Sequence, residues 1–294
     1  MVYSRTVSFE TSFETMHLTP TQLDFYKVNG FLVIEDFINA AAGKQLRDRA
    51  NQIVNEFDPG NAVSIFSTRE QRRVTNDYFL DSASRIHCFF EEHAFNADGS
   101  LKQSKEQSIN KIGHALHDLD PIFEKFSRAD HIRTLVDGLV IKQPLLLQSM
   151  YIFKQPNIGG EVTCHQDSTF LYTEPNAIAG LWFALEEATL ENGCLWAIPG
   201  GHRWGLRSRW LRGDNAMEFT VFDETPWPEE QLVPLEVAQG SLIVLDGLLP
   251  HRSYENKSDR SRHAYTLHVI SGEANYPKNN WLQRSSTLPL RGFE

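Results

Sequence analysis

A histidine and an aspartate stand one residue apart in the stretch GGEVTCHQDSTFLYTEP, which covers residues 159–175. His165 and Asp167 are both good metal ligands, but the tripeptide alone is weak evidence, since a strand end can carry such a pair without a metal. A third ligand follows much later, where His251 comes directly after Pro250 at the end of the run GSLIVLDGLLP. Convergence of the two segments would place two imidazoles and one carboxylate around one cation.

Such a ligand set covers one face of a cation and leaves the opposite face open. It suits non-haem Fe(II), which needs free positions for O2 and an oxidisable co-substrate, whereas a closed structural zinc site would require a fourth protein ligand. Arg262 lies shortly after His251, in NKSDRSRHAYTLH. An arginine there can bind a carboxylate through two parallel hydrogen bonds. The alternative is that Arg262, like Arg260, is a solvated residue of the DRSR turn.

The elements that must position these residues are strands. From Leu145 onward, apolar or alternating runs are separated by Gly, Pro and Asn: LLLQSMYIFKQP, EVTCHQ, IAGLWFALEEATL, CLWAIP, LVPLEVAQGSLIVLDG and HAYTLHVIS. This rhythm is typical of an antiparallel sandwich or barrel. A rolled-up sheet of this kind can bring an early strand end and a late one together.

The N-terminal half reads as mainly helical. Thr19, Pro20 and Gln22 form the start signal of a helix that Asn29-Gly30 ends. FLVIEDF then predicts a short strand, the apolar spacing predicts a helix over 40–57, and INKIGHALHDLDPIF also looks helical. We find no repeat and no clear linker, so we predict a flexible tail over 1–17 and a single domain over 18–294.

Composition and charge exclude several classes of protein. The chain has 294 residues and a formal net charge of −10, which argues against a nucleic-acid surface. Three separated cysteines without a CxxC motif favour reduced thiols over a disulfide framework. We see no secretory signal, no run long enough for a membrane span and no C-terminal SKL. The expectation is a cytoplasmic protein that is a monomer or a weak oligomer.

Several separated motifs resemble one known family. HQD, ENGCLWAIPGGH, GSLIVLDGLLPHRSYEN and SRHAYTLHV occur in the order found in the phytanoyl-CoA dioxygenase family, and the likeness runs from about residue 18 to the end. Members of that family are Fe(II)- and 2-oxoglutarate-dependent oxygenases. The resemblance therefore implies a mainly β fold, a double-stranded β-helix of the jelly-roll or cupin type, flanked by N-terminal helices.

The same resemblance implies a role for particular residues. His165, Asp167 and His251 would hold Fe(II), and Arg262 with Ser253 would bind the distal carboxylate of 2-oxoglutarate. Lys111, Met150 and Trp182 would line the co-substrate site. Taken alone, Lys111 would read as a surface charge, and Met150 and Trp182 as core residues. Related halogenases replace the acid of the motif with a small residue, so Asp167 favours hydroxylation.

The resemblance leaves the substrate open. We expect a small molecule, with an acyl-CoA or a lipid as options, whose oxidation would be coupled to release of succinate and CO2. Two alternatives stay open: a non-catalytic binding or sensor protein that retains the iron and 2-oxoglutarate site, and a zinc or manganese hydrolase on a cupin-like barrel.

Two further groups of residues receive no catalytic role. The arginines of HRWGLRSRWLR, which are Arg203, Arg207, Arg209 and Arg212, could meet a phosphate-bearing substrate, but a solvated loop is the preferred interpretation. His114 and His117 are spaced i, i+3 on the helix expected for INKIGHALHDLDPIF. Packing or capping explains them as well as a metal would.

Overall fold

The helices of the chain lie mainly in its N-terminal half. The computed structural model describes residues 17–60, 64–66, 76–139, 141–214 and 216–294, so almost all of the expected tail over 1–17 lies outside the described residues. Its α-helices are α1 (Pro20–Asn29), α2 (Ala40–Glu56), α3 (Asp77–Asp81), α4 (Leu116–Leu119), α5 (Pro121–Ser127) and α6 (Asp130–Gly138). Among the described residues, no helix has both the length and the apolar character that crossing a membrane requires.

The strands dominate the rest of the chain. They are β1 (Phe31–Ile34), β2 (Ile65–Phe66), β3 (Ile86–Glu91), β4 (Ile109–His114), β5 (Pro144–Ile152), β6 (Val162–His165), β7 (Ile178–Ala184), β8 (Leu195–Ala197), β9 (Ser208–Arg212), β10 (Met217–Val221), β11 (Val233–Leu235), β12 (Leu242–Asp246), β13 (His251–Ser253) and β14 (Ala264–Ser271). An eight-stranded sheet has the order β1-β12-β7-β14-β5-β4-β3-β2, and a four-stranded sheet has the order β11-β8-β13-β6. Strands β9 and β10 pair separately.

The central strands of the large sheet are covered on both faces. All eight residues of β14 are buried. Side chains of one face, such as Tyr265 and Leu267, join the largest apolar cluster together with residues of the helices. Side chains of the other face, such as Trp182 and Ala264, cluster with Leu195 of the four-stranded sheet. We call this second face the inner face. The prediction of a mainly β protein with helices outside its sheets is confirmed.

The predicted helix boundaries hold in the first part of the chain. The Thr19 side chain accepts a hydrogen bond from the Gln22 amide, and Gly30 ends α1 in the left-handed region at φ 80°. Helix α2 covers Ala40–Glu56 against a prediction of 40–57. The largest apolar cluster extends from Leu18 to Val269, with Phe293 packed against it. The single domain over 18–294 stays a prediction, which this shared cluster supports.

The helix expected for INKIGHALHDLDPIF is wrong in its first half. Residues Ile109–His114 form β4, because they pair with β3 on one side and with β5 on the other. The sheet contacts outweigh the local helical pattern. His114 and His117 therefore do not lie one turn apart on a common helix. His114 Nδ1 lies 2.7 Å from Ser82 Oγ and His117 Nδ1 lies 2.8 Å from Ser149 Oγ, so each ring has its own hydroxyl partner.

A buried carboxylate connects the short helices to the C-terminal segment. Asp118 Oδ1 accepts hydrogen bonds from Arg128 at 2.6 Å and from Arg291 at 3.0 Å, and Arg284 lies 3.2 Å from Oδ2. The Asp118 side chain has no exposed surface. Burial alone would raise the pKa of Asp118, but hydrogen bonding from His117 and the nearby positive charges hold it well below its ordinary value. This network of ion pairs thus holds together segments that are distant in sequence.

We predict that Asp118→Ala destabilises the protein by about 3–5 kcal/mol, because it leaves the buried guanidinium of Arg284 without its counter-charge. The measurement is urea unfolding. Asp48→Ala is the control: it removes an exposed ion pair with Lys44 on α2 and should cost less than about 1 kcal/mol. Equal losses in the two variants would contradict this account of the Asp118 network.

Candidate metal centre and co-substrate pocket

The three predicted ligands converge where the two sheets face each other. His165 is the last residue of β6, Asp167 opens a 3-10 turn two residues later, and His251 is the first residue of β13. Strands β13 and β6 are antiparallel neighbours, and His251 is the register partner of His165. One ligand atom from each of the three residues lies within 4.8 Å of the other two. Strand pairing thus closes the long sequence separation.

Backbone contacts orient both imidazoles. His165 Nδ1 lies 2.8 Å from the carbonyl oxygen of Thr163, and His251 Nδ1 lies 2.9 Å from that of Leu249. A carbonyl oxygen can only accept, so each Nδ1 carries the proton and each Nε2 has a free lone pair. Both Nε2 atoms lie 3.7 Å from Asp167 Oδ1. The tautomers therefore suit metal binding through Nε2.

The electrostatics agree with this ligand set. Burial lowers the pKa of His251 to about 4, so the ring is neutral at pH 7. Burial would raise the pKa of Asp167, but the nearby His268 and His251 keep it well below its ordinary value. A neutral imidazole beside a buried carboxylate is a donor set for a divalent cation. Within the described residues the cluster has three members, which fits open-sided Fe(II) better than closed zinc.

The predicted carboxylate-binding residue is a buried cation without an acidic partner. Arg262 is 1% exposed, and no carboxylate of the described residues lies within ion-pair distance of it. Its Nε donates to the carbonyl oxygen of Gly193 at 3.2 Å, and Ser253 Oγ donates to the same oxygen at 3.4 Å. Its Nη1 is buried without a hydrogen-bond partner, and its guanidinium carbon lies 5.1 Å from the centre of the Trp182 ring. Burial lowers its pKa to about 10.

Lys111 is a second buried cation on the same face of the sheet. Lys111 on β4 pairs with Ile152 on β5, and Ile152 pairs with Ala264 on β14. Ala264 comes two residues after Arg262. Its Nζ lies 3.3 Å from the centre of the Phe66 ring and 3.8 Å from Met150 Sδ. It is 4% exposed, and burial lowers its pKa well below the ordinary value. The interpretation of Lys111 as a surface charge is thereby wrong.

Two of the remaining predicted residues, Met150 and Trp182, lie on the same face of the sheet. Met150 lies opposite Thr266, and Thr266 lies opposite Trp182 on the next strand, so their side chains share the inner face. The structure therefore places Lys111, Met150 and Trp182 on the inner face. Arg262 lies over Trp182 and shares the Gly193 carbonyl oxygen with Ser253. Two buried basic side chains without an acidic partner among the described residues fit a ligand with carboxylates, such as 2-oxoglutarate.

Three residues of the site escaped the sequence analysis. Gln166, between two ligands, is 1% exposed and bonds to Gly205, Arg207 and Leu248. His268 lies 3.3 Å from Asp167. Gln148 is the register partner of His268 on the inner face. Period-two alternation from Arg262 through Thr266 would have found His268, since a polar residue on the buried face of a strand is unusual.

The arginine cluster is only in part the solvated loop that the sequence predicts: Arg203 is exposed, whereas Arg207, Arg209 and Arg212 are partly buried. Arg209 and Arg212 belong to β9, and Arg207 immediately precedes that strand. The Arg207 guanidinium lies over the Trp227 ring at 3.8 Å, and Arg209 lies over Tyr172 at 4.1 Å. Arg212 donates twice to the carbonyl oxygen of Trp281. Stacking and hydrogen bonds thus hold the Arg207, Arg209 and Arg212 side chains in place.

Comparison with known proteins agrees with the fold and the site. A profile of the phytanoyl-CoA dioxygenase family matches residues 26–264. A phytanoyl-CoA dioxygenase 1 of Oryza sativa subsp. japonica is 52% identical over 91% of this chain and 94% of its own length. A phytanoyl-CoA dioxygenase domain-containing protein 1 of Mus musculus is 42% identical over 93% and 97%.

Solved structures share the architecture at low sequence identity. The non-heme alpha ketoglutarate dependent carbocyclase SnoK aligns with a TM-score of 0.63 at 15% identity, over 93% of this chain and 96% of its own. The epimerase SnoN, in complex with Fe3+, alpha ketoglutarate and nogalamycin RO, aligns with a TM-score of 0.59 at 13% identity, over 87% and 84%. The predicted jelly-roll, cupin-like fold is confirmed, with open sheets instead of a closed barrel.

Fold and family together define a 2-oxoglutarate-dependent oxygenase that uses iron, 2-oxoglutarate and O2. The chain belongs to the phytanoyl-CoA dioxygenase family.

We predict that Gln166→Leu destabilises the protein by about 2–4 kcal/mol in urea unfolding, since it leaves two carbonyl oxygens and one amide without their buried partner. The matched control is Gln148→Leu. Gln148 is 5% exposed and has no hydrogen bond within the described parts of the chain, so its replacement should be nearly neutral. A larger loss for Gln148→Leu than for Gln166→Leu would overturn this assignment.

Proposed function

We propose that the protein hydroxylates a small organic molecule, with Fe(II) held by His165, Asp167 and His251. The observation that carries this proposal is the convergence of the three ligands, together with a buried arginine for which the described residues provide no ion-pair partner. Arg262 is not needed to balance any charge of the described protein. A buried cation without a partner is costly, so its retention supports a role for an external anion.

2-Oxoglutarate has the complementary chemistry. One of its carboxylates and its keto oxygen can chelate a metal, and its other carboxylate needs a cation. We assign that second carboxylate to Arg262, whose unpaired Nη1 offers a donor, with Ser253 adjacent. The planar fork of an arginine matches a carboxylate better than an ammonium does. Lys111, Met150 and Trp182 would line the space between.

When bound, the iron would supply the oxidising chemistry, with 2-oxoglutarate converted to succinate and CO2. The protein's own part is to hold the reactants and to exclude water. Phe170 packs against the His165 ring with a centroid distance of 5.8 Å, and Trp182 lies over Arg262. These apolar side chains shield the charges of the pocket. Because Asp167 provides a carboxylate, the motif retains its acidic ligand, and this supports hydroxylation over halogenation.

The substrate class rests on the relatives. Two of them are named phytanoyl-CoA dioxygenase, which supports an acyl-CoA or a related lipid as the first substrates to test. The inner face also carries Gln148, whose amide can hydrogen-bond a polar group of the substrate next to the site of oxidation. A screen of metabolites for products that gain one oxygen atom would identify the substrate directly.

We predict that Asp167→Ala and His251→Ala each abolish Fe(II)-dependent formation of succinate from 2-oxoglutarate, because each leaves the metal with two protein ligands. Succinate release is measured with and without a substrate panel. Asp223→Ala, at a half-exposed acid, is the control and should retain turnover. Near-normal succinate release in either ligand variant would refute the metal assignment. If the unaltered protein releases no succinate with any substrate, a binding or sensor role would be favoured.

We predict that Arg262→Lys raises the KM for 2-oxoglutarate about 10- to 100-fold, because one ammonium replaces two parallel charge-assisted hydrogen bonds worth about 1.5–3 kcal/mol. Steady-state kinetics at varied 2-oxoglutarate concentration measures the change. Arg260→Lys is the matched control, since Arg260 is 56% exposed and faces Glu187 and Glu191. An unchanged KM in Arg262→Lys would exclude this residue from the co-substrate site.

A further inference from the structure

Strand β14 carries a buried histidine whose ring points at Asp167, the carboxylate among the three metal ligands. His268 is 5% exposed, and its Nε2 lies 3.3 Å from Asp167 Oδ2. A carboxylate oxygen accepts, so Nε2 is the donor in this contact. His268 lies outside the group of three residues whose ligand atoms converge. It therefore acts on Asp167 from the side away from the other two imidazoles.

The two oxygens of Asp167 have different neighbours. Oδ1 lies 3.7 Å from Nε2 of His165 and equally far from Nε2 of His251. Oδ2 lies next to His268. The carboxylate is thus held with one oxygen toward the ligand cluster and the other toward a hydrogen-bond donor. A free carboxylate could instead rotate and offer both oxygens to a cation.

A glycine makes this arrangement sterically possible. Gly180 is the register partner of His268 on β7. A Cβ atom at position 180 would lie 2.9 Å from Asp167 Oδ2 and 3.6 Å from His268 Nε2. Asp167 Oδ2 and the His268 ring therefore occupy the space that any larger residue would fill.

The other ring nitrogen argues against a purely structural histidine. His268 Nδ1 is buried and has no hydrogen-bond partner among the residues described. An unpaired buried nitrogen is costly, and an apolar side chain would avoid that cost. The hydrogen bond to Asp167 offsets the cost of a histidine at this position.

We propose that His268 is a positioning residue that holds Asp167 Oδ2, so that the carboxylate presents Oδ1 alone to the metal. This inference rests on the proposed metal site and goes beyond it, because it assigns a function to a residue that is not a ligand. A single-oxygen ligand preserves the open positions that the co-substrate and O2 require. Gly180 belongs to the same device, since it provides the space for the contact.

The test is a titration with cobalt(II) alone, in the absence of 2-oxoglutarate, followed by visible absorption. We expect His268→Phe and Gly180→Ala each to weaken cobalt affinity about 10- to 100-fold, the range for loss of an outer partner of a metal ligand, and to change the absorption bands. His268→Gln, which keeps an N–H donor, should recover part of the affinity. Thr266→Val is the matched control, since Thr266 shares the strand and the inner face but does not contact Asp167.

The possible outcomes separate this inference from the proposed function. If the unaltered protein binds no cobalt, both fail. If it binds cobalt, if Asp167→Ala does not, and if both His268→Phe and Gly180→Ala match Thr266→Val in affinity and spectrum, the metal site stands and the positioning role is overturned. Circular dichroism checks that each variant is folded. Gly180→Ala leaves His268 intact, so it remains an independent test if His268→Phe does not fold.

Discussion

The antiparallel pairing of β13 with β6 is the contact on which the whole site depends. It places His251 opposite His165, with ring centroids 4.3 Å apart. Directly opposed residues of neighbouring strands are the closest side-chain pairs that a sheet can form. The two imidazoles are therefore positioned by backbone hydrogen bonds, and no flexible loop has to bring them together. Asp167 completes the set because the chain turns immediately after β6.

The inner face of the large sheet adds what the ligands alone cannot provide. It carries the buried charges of Lys111 and Arg262 into a region lined by apolar residues. Two buried basic side chains in such a place favour an acidic ligand and disfavour a neutral one of the same shape. The sheet thereby connects recognition of the co-substrate to the metal centre, since Arg262 lies just before β14 and His268 lies within it.

Much of this organisation could be predicted from the sequence, and the failures have physical reasons. Sequence alone predicts the His-x-Asp motif, His251 and Arg262, because their residue types and their order along the chain can be read directly. The strand over 109–114 was missed because its neighbours β3 and β5 decide its conformation, and neither is visible in a local pattern. His268 was missed because its role depends on an Asp167 oxygen that comes from a distant turn. Burial of Lys111 under Phe66 likewise depends on sheet packing.

The Asp118 network has a consequence for how the molecule opens. Arg284 and Arg291 attach the C-terminal segment to the same carboxylate that holds Arg128, next to α5. Detaching that segment would expose a buried negative charge, so local fraying there requires disruption of the helix region as well. Backbone amides of α5 and of residues 284–291 should then exchange with solvent deuterium at similar protection. We expect the two segments to open as one cooperative unit in spite of their separation along the chain.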